Sequence, residues 1–406
     1  MRKKRIGFTI LDYILAVVLL LCFTRIDYLY EALKMTKFLM FVSMAALAFS
    51  ALMLLVTILR KRKISLDVIW LLLFFGYLFF ITAISRRDVL QCLETYSGAI
   101  GLCFTAYYYI VNGKLRIFLN AFIVLEILIY LNLLTTFIYP DGMYNTSLYT
   151  RNWLLGYKNP QIRIILPVLG ISMIRSFEKN NRIGISSVIL FVCSLVTMLR
   201  VGSSTGILSI ILFGILVFVF IFLFNTRPKW LSLRNVSIVF LILNLGILFL
   251  NLQTWFQSLF QTLGKDETFT GRNLIWGISL SEISKHLILG HGFLTGAEYV
   301  GIYYFSSAYH PHNYLLYILM QGGLVLLGIF AMGLIYGSKQ LKKNKSISCT
   351  MIILIIISLL FVGLTESLTG NNFLYMFIIL GMHSDAFKAA CSPERLLNRV
   401  KIKVTI

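Results

Sequence analysis

An all-α polytopic membrane protein is the fold predicted for this chain, on three observations. Apolar runs recur from end to end, and residues 38–59, 201–226, 235–264, 311–338 and 346–365 contain no Asp, Glu, Lys or Arg. A helix needs about 20 mainly apolar residues to cross roughly 30 Å of hydrocarbon. Only 13% of residues are charged against 58% hydrophobic, too few to clothe a water-soluble fold that buried five such runs. Third, the basic residues gather in short clusters between the runs, as cytoplasmic loops of membrane proteins do.

About twelve transmembrane helices are expected, at 6–24, 38–59, 66–84, 95–112, 117–139, 160–176, 183–200, 205–225, 235–253, 312–336, 347–365 and 371–387. The first follows Met-Arg-Lys-Lys-Arg as a signal peptide would. No small-residue cleavage site follows it, so it reads as a retained span. In the fifth, Glu126 stands near the middle, where a carboxylate costs about 2.5–3.5 kcal/mol on insertion scales. It should face the bundle interior or be protonated, meeting a buried arginine such as Arg163, a substrate-lined cavity, or a neighbouring helix through a structural hydrogen bond. In the sixth, Arg163 and Arg175 bracket the apolar centre and Pro167 should kink it. No internal repeat or appended soluble domain interrupts a single integral membrane domain over 1–406.

Twelve spans place both termini on one side. That side holds 25 of the 37 Lys and Arg residues and the other side 12, so the first should be cytoplasmic. The +21 formal charge is therefore a topology signal. With no basic stripe carrying stacking aromatics, nucleic acid is not an expected partner. Six scattered cysteines indicate neither a disulfide framework nor a zinc site.

Two substantial segments then face outward, 140–159 and the large extracytoplasmic loop 253–311 between helices 9 and 10, which is far longer than a turn. In the latter, Arg272 to Leu287 has apolar residues at 275, 276, 280, 283 and 287. That spacing makes an amphipathic helix, lying on the outer leaflet or capping a cavity. Four of the five histidines, His286, His291, His310 and His312, fall in or at the edge of this loop. Imidazole exchanges a proton near neutral pH.

An ordered series of motifs occupies the same region: Gly271-Arg272-Asn273-Leu274-Ile275-Trp276, Leu289-Gly290-His291-Gly292, His312-Asn313-Tyr314-Leu315 and Gln321-Gly322-Gly323-Leu324. It resembles the O-antigen ligase and Wzy-type polysaccharide polymerase family, whose "GR…W", "G-x-G", "HN…L" and "GL" elements lie in a large external loop and the helix after it. The diagnostic part covers roughly residues 197–335. Upstream the chain departs from the family's "S-R-[ST]-G", carrying Arg200-Val201-Gly202-Ser203-Ser204-Thr205-Gly206.

The resemblance implies a GT-C-like glycosyltransferase in the bacterial cytoplasmic membrane, acting on undecaprenyl-diphosphate-linked oligosaccharides. Polymerases of the family move a growing chain onto the next lipid-linked unit, in capsule or O-antigen assembly; ligases move glycan to a lipid A core. A flippase and a chain-length regulator would be the accompanying proteins. No cofactor or metal is expected.

Such a donor is already activated, so the protein must supply cations for the diphosphate and a base for the attacking hydroxyl. Guanidinium suits the first task, because its fork of donors matches phosphate oxygens. Arg272 and Arg200 are the first candidates, with Arg151 and Arg163 in reserve. His312 is the candidate base: at a helix start, the dipole favours the neutral form that accepts a proton. Asn313 would bond a sugar hydroxyl or orient the imidazole, and His310 would neighbour it. Tyr299, Tyr303, Tyr304 and Tyr309 would stack on sugars or form an interfacial belt. A competing class, a transporter of the lipid-linked unit, predicts internal repeats and mid-membrane charge; only Glu126 supplies either.

Overall fold

The computed structural model describes residues 2–223, 227–250, 270–304, 308–368 and 372–387. Among them are helices α1 (Arg2–Cys22), α2 (Thr36–Lys61), α3 (Leu66–Ile84), α4 (Val89–Val111), α5 (Leu115–Ala121), α6 (Ile123–Ile138), α7 (Ile162–Asn180), α8 (Ile185–Val201), α9 (Ser204–Val217), α10 (Leu233–Phe249), α11 (Thr270–Lys285), α12 (Gly296–Tyr303), α13 (Tyr314–Lys343), α14 (Ile347–Val362) and α15 (Asn372–Met382). A two-residue ladder pairs β1 (Asn152–Trp153) with β2 (Gly156–Tyr157). Every expected span position holds a helix, the fifth being α5 and α6 end to end. Five are long and apolar enough to cross a membrane: α2, α3, α5–α6, α9 with its π-helical continuation to Leu223, and α13.

Helices apolar all round belong at the centre of a bundle, and that is where α14 and α15 lie, with all eleven α15 residues buried. The outer helices instead show one apolar face to the surroundings, with Phe41, Leu59, Phe80 and Ile185 more than half exposed. A soluble protein does not leave so continuous a belt uncovered.

The connections sort into two ends. At one, Tyr28 N–H donates to Leu154 O (3.4 Å), Arg87 Nε to His291 O (2.6 Å) and Ser203 Oγ to Asn159 Oδ1 (3.2 Å). At the other, Lys114 meets Asp12 (2.7 Å), His383 meets Asp67 (2.8 Å) and Ser348 donates to Glu178 (2.6 Å). The first set joins segments expected outside, the second those expected inside.

Two local expectations are corrected, and of the two placements open to the amphipathic helix one is found. Glu126 pairs with Arg175 (2.8 Å), not Arg163, because α6 and α7 run side by side there. The tenth span begins at Tyr314 rather than 312: Asn313 is its N-cap, accepting from Leu316 N–H, so His312 stands just outside. The amphipathic helix forms as α11 but buries Ile275, Trp276, Ser279 and Ile283 against the protein, while Leu287 is 46% exposed. Trp276 Nε1 donates to Pro311 O (2.9 Å), so this helix caps the bundle.

Gly290 and Gly292 adopt positive φ (+77° and +78°), which folds Gly-His-Gly into a tight turn. Segment 287–292 then runs along α13, where Gly323 (φ 58°, ψ −157°) interrupts the helix. His291 N–H bonds Met320 O (2.8 Å), Gly292 N–H bonds Gln321 O (2.9 Å) and Leu324 N–H bonds Leu287 O (2.9 Å). Backbone groups freed by the break are thus satisfied by the inserted segment. A Cβ at Gly323 would collide with Ile288 O.

Candidate functional site

Glu366 is the centre of the site. It sits in the turn after α14 and is 3% exposed. Arg272, from the first turn of α11, donates through Nη1 to Thr365 O (2.8 Å) and through Nη2 to Glu366 Oε1 (3.0 Å). Asn159 Nδ2 reaches the same carboxylate oxygen (3.0 Å), and Asn159 Oδ1 accepts from Ser203 in the α8–α9 turn. The second oxygen faces His312 Nδ1 at 3.7 Å. The His310 and His312 rings lie 4.0 Å apart. Residues scattered over more than 200 positions therefore meet around one carboxylate.

Electrostatics follow from that packing. Burial alone would raise the Glu366 carboxyl, but the Arg272 guanidinium, then His312 and His310, outweigh it and hold the group well below the usual carboxylate range. Glu366 is an anion at physiological pH. His310 is pushed well below the ordinary imidazole range by burial and then by the neighbouring His312, so it is neutral. Its Nδ1 accepts the His312 backbone N–H (3.2 Å), which assigns its proton to Nε2. His312 itself has φ +50°, a left-handed conformation that costs a non-glycine residue about 1 kcal/mol or more. Its Nδ1 is buried without a hydrogen bond and faces the carboxylate. An imidazole so oriented keeps Nε2 for another partner.

The remaining sequence candidates divide. Arg163, on α7, has Glu366 and Asp27 among its charge neighbours. It lines a cleft of about 490 Å³ that runs from polar Gln91, Glu94 and Thr95 to apolar Met40 and Met44. Arg200 is engaged apart from Glu366, donating to Thr136 O (3.1 Å) and lying over Phe137. Arg151 is exposed and pairs with Asp141 (3.1 Å). The Asn313 side chain is committed to the α13 cap, to Asn244 (2.7 Å) and to Leu364 O (3.1 Å). Tyr299 and Tyr303 are 1% exposed, packed ring on ring, whereas Tyr304 is 89% exposed. Nearer the site, Tyr149 stacks on Tyr157 at 3.8 Å, and both have Glu366 as a charge neighbour.

Two members were missed in the sequence, Glu366 and Asn159. Glu366 is the first charged residue after the apolar run 346–365, the one signal that marked it.

Ligating atoms of His310, His312 and Glu366 lie within 4.8 Å of one another, a composition suited to a divalent cation. The fit is poor. The Arg272 guanidinium already bonds the carboxylate, and His310 Nδ1 already accepts a backbone N–H. A second cation there would meet the first.

Residues 189–331 match the family model described as O-antigen ligase, which bears out the resemblance read from the motif series over that stretch. The matched region contains Arg200, Arg272, His310, His312 and Asn313; Asn159 and Glu366 lie outside it. No curated protein matches the chain.

Proposed function

Given that residues 189–331 are similar to the O-antigen ligase family, we propose that this integral membrane protein is a glycosyltransferase polymerising polyprenyl-diphosphate-linked oligosaccharides. It does so on the outer face of the bacterial cytoplasmic membrane, with about twelve spans and both termini cytoplasmic. The observation that carries the reading is the Glu366–His312–Arg272 cluster at the end of the bundle to which the outward loops belong.

In this reading Glu366 orients two groups at once. Its Oε2 faces the imidazole Nδ1 at 3.7 Å and draws the ring's proton to that side, so that Nε2 takes the proton of an acceptor hydroxyl. Through Oε1 it fixes the guanidinium where the donor's diphosphate arrives. The hydroxyl oxygen attacks the anomeric carbon as the bond to the diphosphate oxygen breaks, and the centre inverts. The departing diphosphate carries its negative charge against Arg272 and Arg163, positioned donors of the kind that stabilise developing charge. The Arg163 cleft suits an acceptor that is itself lipid-linked: amide, carboxylate and hydroxyl groups for sugar, then methionines toward the hydrocarbon.

The test is transfer between two purified lipid-linked units in liposomes. Longer glycan on the carrier, lost in H312A and in R272A, is the expected result. Undiminished extension by either variant would remove the site. A strain lacking the protein separates polymerase from ligase: single units on carrier or core mean the former, full-length glycan left on carrier the latter.

A further inference from the structure

A cavity of about 900 Å³ lies at the opposite end of the bundle, between α1, the α5–α6 junction and the turn joining α7 to α8. Arg175, Lys179 and Arg182 line it, together with Ser176, Asn120 and Asn180. Among the described residues no carboxylate does. The nearby acids are turned to other work: Glu126 bonds Arg175, and Glu178 accepts from Ser348.

Arg175 carries the detail that points to a ligand. Glu126 takes its Nη2 at 2.8–2.9 Å, which fixes the guanidinium plane. Its Nη1 is buried and has no hydrogen-bond partner. A buried guanidinium N–H left unmet costs about 1–3 kcal/mol, and here it belongs to a residue that lines a polar cavity with two further cations. The lip is apolar: Ile123 is 39% exposed and Ile185 79%.

We propose that this cavity binds a phosphate-bearing group, with the Arg175 guanidinium, held by Glu126, as its inner charge and Lys179 and Arg182 as its outer cations. The geometry suits an acidic phospholipid headgroup, whose chains would lie along Ile123 and Ile185. A soluble phosphoester shares the same recognition chemistry. The site is separate from the Glu366 cluster and independent of the proposed reaction.

The test is calorimetric titration of the full chain in neutral detergent, using short-chain phosphatidylglycerol, phosphatidylcholine and inorganic phosphate as probes. Phosphatidylglycerol should bind, phosphatidylcholine at least about tenfold more weakly. The K179A/R182A double variant, altered only at exposed positions, should keep its melting temperature yet lose about tenfold in phosphatidylglycerol affinity. R175K, which keeps the charge against Glu126 but not the forked donor, should weaken binding as well. Phosphate binding without phosphatidylglycerol binding, sensitive to the same substitutions, assigns the soluble source. Equal affinity for the two lipids with no phosphate binding, or unchanged affinities in both variants, overturns the proposal.

Discussion

Two buried Arg–Glu pairs, Arg272–Glu366 and Arg175–Glu126, have nearly the same separation, 3.0 and 2.8 Å. Their surroundings differ completely. Arg175–Glu126 joins two helices laterally, and its carboxylate takes no second side chain among the contacts described. Arg272–Glu366 joins a capping helix to a turn; Asn159 and His312 share the same carboxylate, and a neutral His310 packs behind. A buried ion pair does not by itself mark a reaction site, since structural pairs bury charge as well. A pair that also gathers titratable groups from separate segments is a candidate for chemistry. The comparison also shows why the charge seen first in the sequence, Glu126, was the less informative of the two acids.

The sharpest way to break that comparison is to disrupt one partner of each pair. R272A should abolish transfer, about 10³-fold or more, and leave Glu366 buried and uncompensated, at about 3–5 kcal/mol of stability. E126Q should cost stability but leave transfer within about twofold, since Arg175 takes no part in the reaction. Activity in liposomes beside thermal melts reads both; equal loss of transfer in the two variants would erase the distinction.

H312A should lower turnover about 10²- to 10⁴-fold with little change in melting temperature, because the ring is not part of the packed core. Next in size, G323A should cost about 3 kcal/mol. The new Cβ strains φ and expels segment 287–292, so protease sensitivity near Gly290 should appear together with the lower melting temperature.

A smaller effect concerns pH. The folded-state value of Glu366 is depressed: burial opposes this, but Arg272, His312 and His310 prevail. Its stabilising contribution is complete above the unfolded carboxyl range, about 4.3, and fades as pH falls toward the folded value. Melting temperature should drop more steeply between about pH 5 and 3 in the native chain than in E366Q. Parallel slopes would mean the carboxylate is not held as described. Smallest of all, R151A should change transfer and stability within error, its exposed pair with Asp141 being worth well under about 1 kcal/mol.

Helix positions were legible because hydrocarbon demands length and apolarity, and both are written residue by residue. His310, His312 and Arg272 were legible because polar groups concentrate in one long segment and follow a recognisable order. Glu366 and Asn159 were not, since each is a single polar residue at the end of an apolar run, and only folding brings residues 159, 272, 312 and 366 together. Arg200 misled for a related reason. Its nearness to the motif in sequence says nothing about which way an interfacial side chain turns, and it turns to Thr136 and Phe137.

The interruption at Gly323 bears on biogenesis. Leu324 and Val325 N–H groups donate to the carbonyls of residues 287 and 288, which leave the ribosome some three dozen residues earlier. The α13 segment therefore completes its bonding only when the stretch 287–288 lies against it. Helix and inserted stretch are thus one structural unit, and the backbone of neither is fully met without the other.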